Sequence, residues 1–347
     1  VQIKTVPEDF VVEEIPIYEP SGEGEHVFIR FTKRDLATDA AVRAIASALG
    51  ADARAAGIAG MKDKRAVTTQ TISLAPPRGM KAEELASRAA SLAIEGITIH
   101  DAVPHNHKLK TGHLRGNRFR IVVRQIPASE VASFEARARA IAKEGVPNAF
   151  GEQRFGREGD NADRARAIVS GREKPPRDTR LVRLLYSALQ SEVFNAVLDE
   201  RVRRGDWATA LRGDVLKKTD TGGLFVCTDE QEDAARAARG EVCATGPIVG
   251  PKMLRAEGVP GEIESAAWTR VLGDAEKAAF DGVLGEGTRR ALRLFVSEMR
   301  VFEDPNCNSV ADATKNEETS RVAEFVLPKG AFATTVLATL IGQKQNA

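Results

Sequence analysis

Asp63 stands between two lysines in the run Gly60-Met-Lys-Asp-Lys-Arg65, on a glycine-rich turn. Flanking cations favour an ionised carboxylate. A carboxylate held charged can act as nucleophile or general base. An exposed turn aspartate without chemistry is the ordinary alternative, and these residue types alone identify no reaction. Thr68, Thr69, Gln70 and Thr71 follow, with neutral hydrogen-bonding groups that could orient a substrate. A second feature spans residues 105–124, where Lys108, Lys110, Arg115, Arg118, Arg120 and Arg124 stand without an acidic residue. Gly112 and Gly116 would let backbone approach a phosphate closely. Arginine forks match phosphate oxygens, so a nucleic-acid backbone is a reasonable ligand, against the plain alternative of a solvated face. Phe10, Phe119 and Phe332 lie beside turns or polar residues. Most such rings pack in a core, but an unstacked base needs aromatic faces.

These residues need elements to hold them. The mixed apolar and acidic residues 6–15 and the run 26–31 read as two strands of a hairpin with a long connection. A helix follows, with Thr38 as its cap, Val42, Ile45 and Leu49 on one face and Gly50 at its end. The Asp63 turn leads into a Thr-rich strand, residues 66–74. Helix 82–93, strand 97–103, the basic loop and strand 118–124 come next. In that last strand, period-two alternation sets Phe119, Ile121 and Val123 opposite Arg118, Arg120 and Arg124. Ser129 caps a helix that buries Val131, Phe134, Ala138 and Ile141 and closes at Gly145. From there to about residue 294 the pattern is mainly helical, with linking segments at 171–178 and 246–251 rich in Gly, Pro or charge. Strand and helix return at 321–327 and 331–341. An α/β beginning, a helical middle and an α/β end predict one domain interrupted by another.

The 347 residues carry 50 basic and 49 acidic side chains, which argues against a histone-like coating protein but leaves local RNA binding open. The longest run without Asp, Glu, Lys or Arg, residues 330–343, is short for a membrane span, and the opening residues have no apolar signal core. Cys227, Cys243 and Cys307 are sparse and odd in number, as expected of reduced thiols in the cytoplasm. The P-loop, zinc-protease, zinc-deaminase and nucleophile-elbow motifs are absent. Gly22-Glu-Gly24 sits in a turn, not between a strand and a helix. His26, His100, His105, His107 and His113 lack Cys or carboxylate partners at metal spacing, which leaves solvated or RNA-touching loop histidines as the expectation.

An ordered set of strings resembles the TruD family of tRNA pseudouridine synthases along nearly the whole chain. They are Pro7-Glu-Asp-Phe-Val-Val-Glu-Glu14, Gly22-Glu-Gly-Glu-His26, Gly60-Met-Lys-Asp-Lys-Arg-Ala-Val-Thr68 with Gln70, and His107-Lys-Leu-Lys110 to Leu114-Arg-Gly-Asn-Arg-Phe119. Gly145-Val-Pro-Asn-Ala-Phe-Gly-Glu-Gln-Arg-Phe-Gly156, Ser187-Ala-Leu-Gln-Ser191 with Phe194-Asn195, and Leu327-Pro-Lys-Gly-Ala-Phe-Ala-Thr334 complete it. Ala149 departs from the aromatic that relatives often carry there, and the second half of the middle domain matches least.

The resemblance implies an α/β chain of the α+β type. A pseudouridine synthase fold with a mixed, largely antiparallel sheet (residues 1–144 plus 295–347) would be interrupted by a mainly helical α+β TRUD domain (residues 145–294). It implies isomerisation of uridine to pseudouridine in tRNA, at position 13, without cofactor or metal, by a monomer in the cytoplasm with no membrane role. The family's catalytic aspartate falls on Asp63. Its pocket positions fall on Lys4, which would hold Asp63 ionised; Phe119, which would stack on the uracil; Asn117, which would bond the nucleotide or orient Asp63; and Phe10 and Phe332 as walls. Lys110, Arg115 and Arg118 are the expected contacts to RNA phosphates. The rival readings are a non-catalytic RNA-binding or chaperone protein on the same fold and, more weakly, a cofactor-dependent methyltransferase.

Overall fold

The computed structural model describes residues 1–273, 287–305 and 318–343. Two compact units form, Val1–Ala142 with Val296–Ala333, and Lys143–Phe295 with Thr334–Ala347. In chain order the strands are β1 (Phe10–Pro16), β2 (His26–Arg34), β3 (Gly57–Ile58), β4 (Val67–Leu74), β5 (Ile97–His105) and β6 (Leu114–Pro127). Then come β7 (Val146–Pro147), β8 (Val215–Lys218), β9 (Leu224–Val226), β10 (Val242–Ile248), β11 (Thr288–Ala291), β12 (Arg293–Leu294), β13 (Ser297–Glu303) and β14 (Glu318–Pro328). The helices are α1 (Thr38–Leu49), α2 (Ala82–Ala90), α3 (Val131–Glu144), α4 (Asn161–Val169), α5 (Thr179–Arg204), α6 (Glu230–Ala238), α7 (Gly258–Leu272) and α8 (Ala333–Leu340).

The first unit is built on an eight-stranded sheet in the order β13-β14-β6-β1-β4-β2-β5, with β3 beside β4. Among the described residues only the β1–β4 pair is parallel, so the sheet is mixed and largely antiparallel. The hairpin expected of β1 and β2 does not form. Strand β4 lies between them, and β1 takes β6 as its other neighbour. The long 17–25 connection permits this, because no tight turn fixes the register of the two strands. The core of this unit sets Val42, Ile45 and Leu49 of α1 and Leu85 of α2 against Ile29, Phe31, Ile72 and Leu74 of the sheet. Helix α1 ends at Gly50 in the left-handed conformation, φ 70°.

Strand β6 carries the predicted alternation, with Phe119, Ile121 and Val123 buried. Gly116 serves the sheet: a Cβ there would collide with the Leu327 carbonyl of β14. Ser129 does not cap α3; it lies within a 3-10 turn, Ala128–Glu130, that runs straight into the helix.

The second unit packs α4, α5 and α7 together. It also holds a four-stranded sheet, β11-β10-β8-β9, and the short β12–β7 pair. The Gly-Pro segment 246–251, read as a linker, is partly the buried end of β10. Its glycine leaves room for the Phe194 ring, which a Cβ at Gly246 would meet at 2.9 Å. Cys227 and Cys243 are free and buried, and Cys307 lies outside the described residues. Among the described residues no helix is long and apolar enough to cross a membrane.

Candidate active site

Asp63 sits on the loop between β3 and β4, with its side chain 55% exposed. Lys4 Nζ donates to its Oδ2 at 2.7 Å. The same ammonium lies 3.8 Å from the centroid of the Phe10 ring. Phe10 meets Phe119 edge-on at 6.1 Å, and Phe119 stacks on Phe325 at 5.3 Å. Carboxylate, cation and three aromatic rings therefore form one continuous group. Asn117 is two residues from Phe119 on β6, on the same face by strand parity, and pairs across to Glu14 and Leu327. Among the described residues its buried Oδ1 has no hydrogen-bond partner, which leaves an acceptor open beside the rings.

Lys4 adopts φ 59°, a left-handed backbone that costs an L-residue about 1–2 kcal/mol. Its surroundings hold it there. Gln2 and Arg124 exchange backbone hydrogen bonds of 2.8 Å on one side of it. On the other, the buried Asp9 carboxylate accepts the Thr5 and Val6 amides at 3.0 and 3.2 Å. Asp9 also accepts the Arg124 guanidinium, with Nη2 2.6 Å from Oδ1. Arg65, next to the Asp63 turn, donates to the Thr5 carbonyl at 3.1 Å.

The Asp63 loop is anchored from below by residues that sequence reasoning did not single out. Lys33, fully buried on β2, donates to the Asp63 backbone carbonyl at 2.7 Å. Burial pushes its amine down to about 8 from an ordinary value of 10.5. The Asp63 and Asp35 charges oppose that shift, and Lys62 adds to it. Lys62 turns inward and donates to Glu14 at 2.6 Å, with both side chains under a tenth exposed. Thr38, expected as a helix cap, does not cap α1, whose N-terminal boundary residue is Ala37. Its hydroxyl instead accepts the Lys62 amide at 3.0 Å and donates toward Gln70 Oε1 at 3.2 Å. The Thr-rich strand thus supports the loop; Thr68, Gln70 and Ser73 are buried beneath the surface.

Among the described residues no side-chain contact joins the other expected site residues to this group. Phe332 is 61% exposed just before α8 and makes no ring–ring or cation–ring contact among the described residues. Lys110 and Arg115 are exposed and form no ion pair among the described residues. Arg118 is matched by Glu298 at 2.5 Å, Arg120 by Glu324 at 3.7 Å and Arg124 by Asp9. The basic run, unopposed in sequence, is thus partly neutralised by carboxylates from distant segments. The histidines are not all loose loop residues. His105 is buried, stacks on Tyr18 at 5.4 Å and lies 3.3 Å from His107 between their Nε2 atoms, while Tyr18 bonds His113. Burial pushes the His105 ring below its usual range. Among the described residues no three His, Cys, Asp or Glu side chains are grouped to hold a metal.

A loop carboxylate paired with a lysine beside aromatic rings suits chemistry on a planar, uncharged ring. Known proteins are similar to this chain in sequence and in fold. The family profile described as tRNA pseudouridine synthase D (TruD) matches residues 1–174 and 176–340. The tRNA pseudouridine synthase D of Anaeromyxobacter sp. (strain Fw109-5) is 42% identical over 98% of this chain and 92% of its own length. A tRNA pseudouridine synthase D of Thermus thermophilus is 37% identical over 97% and 87%. A crystal structure assigned as tRNA pseudouridine synthase D from Methanosarcina mazei superposes with a TM-score of 0.82 at 25% identity, covering 98% of this chain and 93% of that one. The chain belongs to a family of RNA-modifying isomerases, the TruD family of tRNA pseudouridine synthases.

Proposed function

We propose that this chain isomerises uridine to pseudouridine in tRNA, at position 13, with Asp63 as the catalytic residue. The N1–C1′ bond breaks, the base turns, and C5 bonds to C1′. The C5 hydrogen leaves to water and N1 gains a proton, so the reaction balances without an oxidant or a cofactor. The target must leave its stack, at a cost of a few kcal/mol met by new stacking and backbone contacts. Asp63 acts on the extruded uridine, at the ribose or at the base, as nucleophile or general base. Lys4 holds the carboxylate aimed at the nucleotide. Phe119 stacks on the uracil, Asn117 offers its unused Oδ1 to the nucleotide, and Phe10 and Phe332 wall the pocket. Lys110, Arg115 and Arg118 meet RNA phosphates, Arg118 by exchanging Glu298 for a phosphate.

The observation that carries this reading is the 2.7 Å Lys4–Asp63 contact, on a loop fixed by Lys33, Thr38 and the Lys62–Glu14 pair. So much anchoring beneath an exposed aspartate has no purpose in a non-catalytic RNA-binding protein. We assign catalysis to residues 1–144 plus 295–347, and the inserted TRUD domain to 145–294; the compact unit that contains Lys143–Phe295 supports the insertion, while Thr334–Ala347 groups with that unit and not with the catalytic one. A monomer in the cytoplasm, where buried reduced thiols are at home, completes the reading. Incubation with total tRNA tritiated at uridine carbon-5, followed by mapping of the modified nucleotide, tests it. Tritium release with a product at position 13 is expected; no release from any tRNA would refute it.

A further inference from the structure

The second unit buries several arginines, and most are matched by carboxylates. Arg201 forms a fork on Asp214, with Nη1 2.8 Å from Oδ1, and also reaches Asp206. Arg289 forms another on Glu264, with Nη1 2.9 Å and Nη2 2.5 Å from its oxygens. Arg293 directs its guanidinium at the Ala237 and Lys143 carbonyls. Arg293 also lies over a ring, 4.3 Å from the Phe295 centroid; Arg290, next in the chain to Arg289, shares that seating but has a second arginine on the same ring. It lies 4.1 Å from the centroid of the Phe150 ring and, among the described residues, is hydrogen-bonded only to Asn148, with Nη2 2.7 Å from Oδ1. A second guanidinium, that of Arg154, lies 5.2 Å from the same ring centroid and donates through Nε to Ser191 Oγ at 3.1 Å. Among the described residues neither arginine has a carboxylate partner. Arg290 Nη1 and both terminal nitrogens of Arg154 have no acceptor there.

The platform under these two cations is rigid. The Asn195 side chain accepts the Phe150 amide at 2.8 Å and donates to the Phe150 carbonyl at 3.0 Å. The Phe150 ring packs edge-on against the fully buried Phe194 at 5.4 Å. Asn148 is bound through its amide to Leu292 at 2.8 Å and through Nδ2 to Ala291 at 2.8 Å. Burial without a counter-ion disfavours a cation, and two like charges on one ring repel. Both causes push Arg290 down to about 10. Arginine forks on a fixed frame, with donors unused and no anion from the protein, suit an anion brought by a ligand.

We propose that Arg154 and Arg290, seated on Phe150, form a phosphate site in the second unit that grips the backbone of the bound RNA. This rests on the tRNA reading above and adds a contact outside residues 1–144. The site fixes position, not sequence, because phosphates carry no base information.

The test is the binding of an unmodified tRNA transcript to the full chain at several salt concentrations, with tritium release by the wild type measured in parallel. Arg154→Gln and Arg290→Gln are each expected to raise Kd roughly ten-fold at moderate salt and to flatten the log Kd against log salt slope by about 0.7–0.9. Arg290→Gln removes a packed side chain, so the exposed Arg154→Gln decides if Arg290→Gln does not fold. Arg203→Gln, which removes an exposed arginine paired with Glu200, serves as the control and leaves both quantities within about two-fold. Wild-type Kd and slope in Arg154→Gln would overturn the proposal. A raised Kd with an unchanged slope would also overturn it, since that marks stacking or packing and not phosphate. If the wild type releases tritium while Arg154→Gln binds normally, the phosphate site alone fails. If the wild type releases none, the catalytic reading fails.

Discussion

At the residue scale, the site separates stability from catalysis. The Lys4–Asp63 pair is partly exposed, and such pairs contribute about 0–1 kcal/mol to folding. Lys4→Met should therefore leave the melting temperature nearly unchanged, yet lower kcat roughly 10–100-fold by freeing the carboxylate. Wild-type kcat in that variant would deny Lys4 its role. Phe119 needs a gentler substitution, because it is buried between Phe10 and Phe325. Truncation to Ala would cost about 3–5 kcal/mol of stability and obscure the readout. Phe119→Leu keeps most of the volume and loses the aromatic face. A base–aromatic stack contributes about 1–3 kcal/mol, so kcat/KM should fall roughly ten-fold or more; unchanged turnover would end the stacking assignment. Lys33 gives a pH signature. Its amine is pushed below its unfolded value, to about 8, so between about pH 8 and 10.5 the unfolded chain binds more protons than the folded one. Its contribution to stability must then rise with pH across that window. The unfolding free energy of wild type minus that of Lys33→Met should increase from about pH 8 to 10.5 in urea titrations. A flat difference would mean that Lys33 is not titrating inside the fold.

At the element scale, the Asp63 loop is held by three different strands and one helix. Glu14 of β1 holds Lys62, Lys33 of β2 holds Asp63, Gln70 of β4 accepts from Thr38, and Thr38 opens α1. The Lys62–Glu14 pair is buried, so removing one partner strands a charge. Glu14→Ala should cost about 3–5 kcal/mol in denaturant titration. Replacing both residues with Met should recover most of that stability but not turnover, because the loop loses its anchor. Full activity in the double variant would show that the anchor is irrelevant to catalysis. This scale also explains what the sequence could disclose. Asp63, Phe10, Asn117 and Phe119 lie in short strings with recognisable order, and the alternation in β6 correctly buried Phe119. Thr38, Lys33 and Glu14 were not legible as site residues, since their partners lie 24, 30 and 48 residues away along the chain. Thr38 has the residue type of a helix cap, and only the packing of the loop against α1 redirects its hydroxyl. The β1–β2 hairpin failed for a similar reason: a parallel strand from a later segment separates two strands that are neighbours in sequence.

At the scale of the whole molecule, a net charge of +1 conceals unlike regions. Some of the basic run is cancelled by Glu298, Glu324 and Asp9, while Lys110, Arg115 and the Arg154–Arg290 pair keep their charge unmatched among the described residues. Free cations at separate places suit a long polyanion better than a small anionic metabolite. The central claim is that this polyanion is a tRNA whose uridine is rearranged by Asp63. The most direct measurement is tritium release from tRNA labelled at uridine carbon-5, with wild type and Asp63→Asn side by side. Asn keeps the shape of the side chain and removes its charge. The account predicts release by the wild type and a rate at least about 10³-fold lower in the variant, with tRNA still bound. Equal release by both proteins would contradict it.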